Sequence, residues 1–126
     1  MKILVAEDEP EIMRIYTLLL GNKGYKVFGT EDGKKCVEAY KNELNNTSDS
    51  KTPFDLVMLD YRMPQKNGVE VAKEILDLCP AQKLLMVTAY KDQLELKDEK
   101  LKKMKLMEKP FDVDELLTTI TRLASH

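Results

Sequence analysis

Five polar side chains of this 126-residue chain, Glu7, Asp8, Asp60, Thr88 and Lys109, could work on one chemical group. Glu7-Asp8 closes the apolar run that starts at Ile3. Asp60 closes Leu56-Val-Met-Leu59, Thr88 ends Leu84-Leu-Met-Val87, and Lys109 follows Leu106-Met-Glu108. Short apolar runs bounded by turn-rich stretches read as strands buried on both faces, as in the middle of a parallel sheet. An acid at the C-terminal end of such a strand lies at the mouth of the sheet, where α/β folds bind ligands. Gathered on one edge, three carboxylates repel one another, and like charge raises at least one pKa. A hard divalent cation relieves that repulsion, and oxygen donors without His or Cys point to Mg2+. Carboxylate, cation, hydroxyl and ammonium together are what a phosphoryl group needs. Asp60 can attack phosphorus as an oxygen nucleophile. The cation and Lys109 neutralise the transferring oxygens, and Thr88 donates a hydrogen bond to one of them.

Taken singly, each residue has a plainer explanation. An acid pair after a strand caps a helix favourably, a threonine at a strand end is structural, and Lys-Pro is a common turn. The joint placement carries the argument: each polar residue stands at the correct end of its strand, although the set spans about a hundred positions.

The elements that would position them alternate along the chain. A strand over 2–7 leads to a helix in which Pro10 suits the first turn, Ile12, Ile15, Leu19 and Leu20 face the core, and Gly21 to Gly24 supply a stop. A less apolar strand over 25–30 suits a sheet edge. Asp32-Gly33 opens a second helix with Cys36, Val37, Tyr40 and Leu44 on one side, followed by an exposed polar loop over 45–53. After the Asp60 strand, a loop with Pro64 and Asn67-Gly68 precedes a third helix built on Val71, Ile75, Leu76 and Leu78. Pro80 closes it, and a strand over 83–89 follows. A charged stretch over 91–104, with Leu94, Leu101 and Met104, reads as a fourth helix. A weak strand over 106–108 precedes a last helix, where Asp112 and Glu115 have capping-box spacing and Val113, Leu116, Leu117, Ile120 and Leu123 form the core stripe. Five β-α repeats imply a parallel sheet with helices on both faces. The expected fold is α/β: a five-stranded doubly wound sheet in the order 2-1-3-4-5.

Composition excludes several classes. The net charge of −2, from 20 basic and 22 acidic residues, argues against nucleic-acid binding by this domain alone. Cys36 and Cys79 form no Cys-x-x-Cys pair and read as free thiols, and the single His makes a structural zinc site untenable. Residues 3–6 run straight into Glu7-Asp8-Glu9, too short and too acidic for a signal peptide. The expectation is one cytoplasmic domain over 1–126 with no membrane contact.

The motifs resemble those of the receiver domain of two-component response regulators, including the stand-alone chemotaxis type. Ile3-Leu-Val-Ala-Glu-Asp-Glu9 is similar to the opening strand and acidic pair, and Asp55-Leu-Val-Met-Leu-Asp-Tyr-Arg-Met-Pro-Gln-Lys-Asn-Gly68 to the phosphorylation segment. Val87-Thr-Ala89 and Glu108-Lys-Pro-Phe111 are similar to the last two signatures. The resemblance implies a flavodoxin-like receiver fold. It also implies Asp60 as acceptor of a phosphoryl group from a phosphohistidine on a sensor histidine kinase or phosphotransfer protein. Asp8 and Asp60 would bind Mg2+ directly and Glu7 through water, with the backbone carbonyl of Arg62 completing the site. Arg62 and Tyr90 would flank the pocket where water access is tuned. The implied role is a phosphorylation-controlled switch that turns over no external substrate and acts on a downstream protein partner.

The chain departs from that pattern in two places. Leu106 stands where the family has an aromatic residue that swings with its threonine, and a lysine-rich run over 97–105 replaces a short Gly-Ala turn. These departures keep open a receiver-like interaction module that is never phosphorylated. A small hydrolase or flavin carrier ranks last, because no glycine-rich phosphate loop and no second aspartate two residues after Asp60 is present.

Overall fold

A computed structural model describes residues 1–47, 52–89, 99 and 101–125. Its strands are β1 (Lys2–Ala6), β2 (Lys26–Thr30), β3 (Leu56–Asp60), β4 (Leu84–Thr88) and β5 (Lys105–Glu108). The helices among the described residues are α1 (Pro10–Asn22), α2 (Gly33–Asn45), α3 (Gly68–Leu78) and α4 (Val113–Ala124), with a 3₁₀ turn at Leu101–Lys103. Every strand pair is parallel and the order is β2-β1-β3-β4-β5. The fold is the expected five-stranded doubly wound α/β fold, flavodoxin-like in its strand order.

Alternation along the strands splits the core in two. Leu4, Val57, Leu59 and Met86 point to one face, where Cys36, Tyr40, Val71 and Ile75 of α2 and α3 cover them. Ile3, Val5, Met58 and Val87 point to the other, under Tyr16, Leu20, Leu116 and Ile120 of α1 and α4. Each fully buried aliphatic side chain contributes roughly 1.5–3 kcal/mol of transfer free energy, so the central strands β1, β3 and β4 anchor the edge on which they end.

Several sequence expectations shift in detail. In α1 the buried positions are Tyr16 and Leu20, whereas Ile15 is 52% exposed. The helix turns its stripe through Ile12, Tyr16 and Leu20, spaced four apart on one face, and the amphipathic tyrosine takes a place given to an isoleucine. Gly21 lies inside α1, and the reversal falls on Gly24 at φ +81°, where the N–H of Gly24 donates to Gly21 and that of Tyr25 to Leu20. Leu78 and Val113, at helix ends, are exposed rather than core. At Asp112 only the forward half of the capping box forms, the Glu115 N–H donating to the Asp112 side chain. Asn45 belongs to α2, so the polar loop starts later than expected. Residues 48–51 of that loop and 91–98 and 100 of the expected fourth helix lie outside the described residues, and the described end of that helix, Leu101–Lys103, is a 3₁₀ turn instead. Cys36 and Cys79 are free thiols, and burial pushes Cys36 up to about 12.

Candidate functional site

The register brings the carboxylates level. Ala6 pairs with Leu59, so Glu7 follows β1 beside Asp60, the last residue of β3, and Asp60 pairs with Val87 of β4. Backbone bonds carry the ladder past the strand ends. The Glu7 N–H donates to Thr30 (3.0 Å), the Tyr61 N–H to Val87 (3.1 Å) and the Lys109 N–H to Thr88 (2.8 Å). Behind Asp60, the Gly68 N–H donates to the Tyr61 carbonyl at 2.8 Å. A Cβ at Gly68 would stand 2.6 Å from the Asp60 carbonyl oxygen and 2.6 Å from Met86 Sδ, so no other residue fits there without displacing the acid. Asn67 then starts α3 with a full capping box, its side chain accepting from the Glu70 N–H at 2.9 Å and Glu70 accepting from the Asn67 N–H at 3.1 Å.

Carboxylate oxygens of Glu7, Asp8 and Asp60 lie within 4.8 Å of one another. Lys109 Nζ is 3.4 Å from Asp60 Oδ1 and 3.6 Å from Glu7 Oε1. Glu7 is 1% exposed; its Oε2 accepts the Glu9 N–H at 3.1 Å, but Oε1 has no hydrogen bond. Burial pushes the Glu7 carboxyl from 4.5 up to about 7, the Asp60 charge adding and the Glu9 N–H opposing. Burial likewise raises Asp60, with Lys109 opposing and Asp8 adding. A buried carboxylate oxygen without a donor is costly. Three carboxylates around one point, one of them with such an oxygen, fit a hard divalent cation bound through oxygen.

The five residues singled out in the sequence therefore meet on one edge. Thr88, 2% exposed, is the last residue of β4, between Asp60 of β3 and Lys109 after β5. Arg62 stands two residues beyond Asp60 with its side chain exposed. Tyr90 is outside the described residues. Leu106 is half buried and packs against the α2–α3 side of the core. One neighbour of the site escaped the sequence reading: Tyr16 lines an apolar groove together with Lys109. Its spacing four residues after Ile12 was the available signal.

Over residues 3–121 the chain matches the response regulator receiver domain. It belongs to that family. The response regulator TrrA of Thermotoga maritima, solved in complex with Mg(2+)-BeF, is 30% identical with a TM-score of 0.75, covering 97% of each chain. The transcriptional regulatory protein ZraR of Escherichia coli (strain K12) is 33% identical over 126 residues. That match covers 98% of this chain but only 26% of ZraR. The response regulator receiver protein CpdR of Brucella abortus is 26% identical, covering 97% of this chain and 95% of CpdR. This receiver domain thus carries its acidic cluster on the sheet edge at which all five parallel strands end. Among the described residues no helix is long and apolar enough to cross a membrane.

Proposed function

We propose that this receiver domain is a phosphorylation-controlled switch whose acceptor is Asp60. The observation that carries the reading is the cluster of three carboxylates within 4.8 Å, with Lys109 bridging Asp60 and Glu7. A carboxylate oxygen of Asp60 bonds to phosphorus as the P–N bond of a phosphohistidine breaks, and the electron pair leaves with the imidazole. The donor is a sensor histidine kinase or phosphotransfer protein. Lys109 holds positive charge beside the attacked group, and the Thr88 hydroxyl donates to a phosphoryl oxygen. Glu7, Asp8, Asp60 and the Arg62 carbonyl would hold Mg2+, which when bound neutralises phosphoryl oxygens. Buried Glu7, its Oε1 without a hydrogen bond, supports that assignment. TrrA, solved in complex with Mg(2+)-BeF, is a relative whose bound group suits the same chemistry.

Residues 1–126 act as a single receiver unit in this reading. The domain modifies itself, turns over no external substrate, and shifts a conformational equilibrium that a downstream protein partner reads. Leu106 in place of an aromatic favours a module that is never phosphorylated, but the complete acid, threonine and lysine set weighs more heavily against it. Intact mass after incubation with a small-molecule phosphodonor and Mg2+ tests the reading. The expected result is an acid-stable, base-labile gain of one phosphoryl group on the parent and none on Asp60→Asn. No gain on the parent, with Mg2+ still bound, would favour the unphosphorylated module.

A further inference from the structure

Lys109 is placed without a short bond to either acid. Its contacts of 3.4 Å to Asp60 and 3.6 Å to Glu7 exceed the ~2.7–2.9 Å of a charge-assisted hydrogen bond. Its side chain is nonetheless only 24% exposed, so the surrounding walls decide where the ammonium rests. The backbone bond to the Thr88 carbonyl fixes where the stem begins. From there Lys109 lines a groove of about 520 Å³ shared with Tyr16, Ala89, Phe111 and Leu116. Ala89 is short, and Phe111 lies two residues further along the same segment. Among the described residues, Tyr16 is the one aromatic that reaches the groove from another element, α1, and it is 4% exposed.

The phenol end of Tyr16 senses the acids that Lys109 bridges. Burial first, then the charges of Glu7 and Asp60, raise its pKa and keep it neutral. A tyrosine ring is rigid and tolerates a polar rim at its tip, while a lysine stem covers apolar surface and leaves its charge free. We propose that Tyr16 is a positioning residue for Lys109, its ring the wall that keeps the ammonium against Asp60 and Glu7. The inference rests on the reading of Lys109 as the cation of the phosphoryl site.

The direct test is ¹⁵N NMR of lysine Nζ in metal-free, unphosphorylated protein, with the Lys109 resonance assigned by its absence in Lys109→Arg. The parent and Tyr16→Phe show an ordered Lys109 ammonium with slowed proton exchange. Tyr16→Leu loses that signature, and Tyr16→Met, which keeps more of the volume, loses it too; the backbone amide spectrum reports that each remains folded. A Lys109 resonance unchanged in a folded Leu or Met variant overturns the proposal. So does its loss in Tyr16→Phe, which would assign the role to the hydroxyl. In phosphoryl uptake, Tyr16→Leu is about tenfold slower than the parent, a modest value for a misplaced catalytic group, and Tyr16→Phe is unchanged. In a Lys109→Gln background the Leu substitution makes no further difference; a persisting effect overturns the proposal. Should the parent take up no phosphoryl group, the acceptor reading fails while the NMR arm still decides the role of Tyr16.

Discussion

The two ends of the sheet treat polar groups in opposite ways. At the N-terminal edge, buried Gln82 is fully engaged: its Oε1 accepts from the Tyr40 hydroxyl at 2.8 Å, and its Nε2 donates to the carbonyls of Phe54 and Lys83 at 3.0 and 3.2 Å. Lys2 at the same edge pairs with Glu43 and stands 5.4 and 5.3 Å over the rings of Phe28 and Phe54. At the C-terminal edge Glu7 is just as buried, yet one of its oxygens has no hydrogen bond and its carboxyl is pushed up to about 7. The same parallel sheet thus has one end closed by satisfied hydrogen bonds and another that leaves charge for a ligand to complete. Residues of the first kind govern stability, and residues of the second leave a buried carboxylate oxygen without a hydrogen bond.

Variants at the two ends should separate along that line. The largest stability loss is expected for Gln82→Leu, which takes the acceptor from the Tyr40 hydroxyl, leaves the Phe54 carbonyl with only the Thr52 hydroxyl, and costs about 3 kcal/mol of unfolding free energy. Denaturant titration checks this, and Mg2+ affinity should stay at the parent value; a matching loss of affinity would break the comparison. Gly68→Ala comes next, at about 2 kcal/mol, because its Cβ meets the Asp60 carbonyl. It sits behind the acid, so here Mg2+ affinity, measured calorimetrically, falls with stability.

Glu7→Gln should move the other way. A carboxyl whose folded pKa is raised holds more protons folded than unfolded, so its ionisation lowers stability as pH climbs from 4.5 through about 7. Without metal, the Gln variant therefore gains on the parent across that window, and Mg2+ narrows the gap by stabilising the parent more than the variant, which keeps Asp8 and Asp60. Unfolding curves at several pH values, with and without Mg2+, read this out; parallel pH dependences would contradict it. The smallest effect belongs to Lys2→Met, about 1 kcal/mol or less, since a partly exposed ion pair over aromatic rings contributes little.

How far the sequence reveals the molecule follows the same division. Strand ends were legible because buried parallel strands are apolar runs that stop at a polar residue, and that rule located Glu7, Asp60, Thr88 and Lys109 together. Edge strand β2 was legible from its weaker run of Lys26, Val27 and Phe28. The rotation of α1 was not, because Tyr16 is both apolar and polar, and packing rather than hydropathy decides whether it or Ile15 turns inward. The capping box at Asn67 and Glu70 was present in the spacing, but Asn67-Gly68 reads first as a turn. The burial of Glu7 was invisible to pattern, since an acid following a strand reads as a solvated cap until the register with β2 and β3 encloses it.

Mapping the modified residue tests the central claim most directly. After phosphorylation in the presence of Mg2+, borohydride reduction converts an aspartyl phosphate to homoserine, and peptide sequencing by mass spectrometry locates it. Asp60 as acceptor predicts homoserine at position 60 and at no other acid of the cluster. Homoserine at Glu7's neighbour Asp8, or none in a protein that has gained phosphoryl mass, would contradict the assignment.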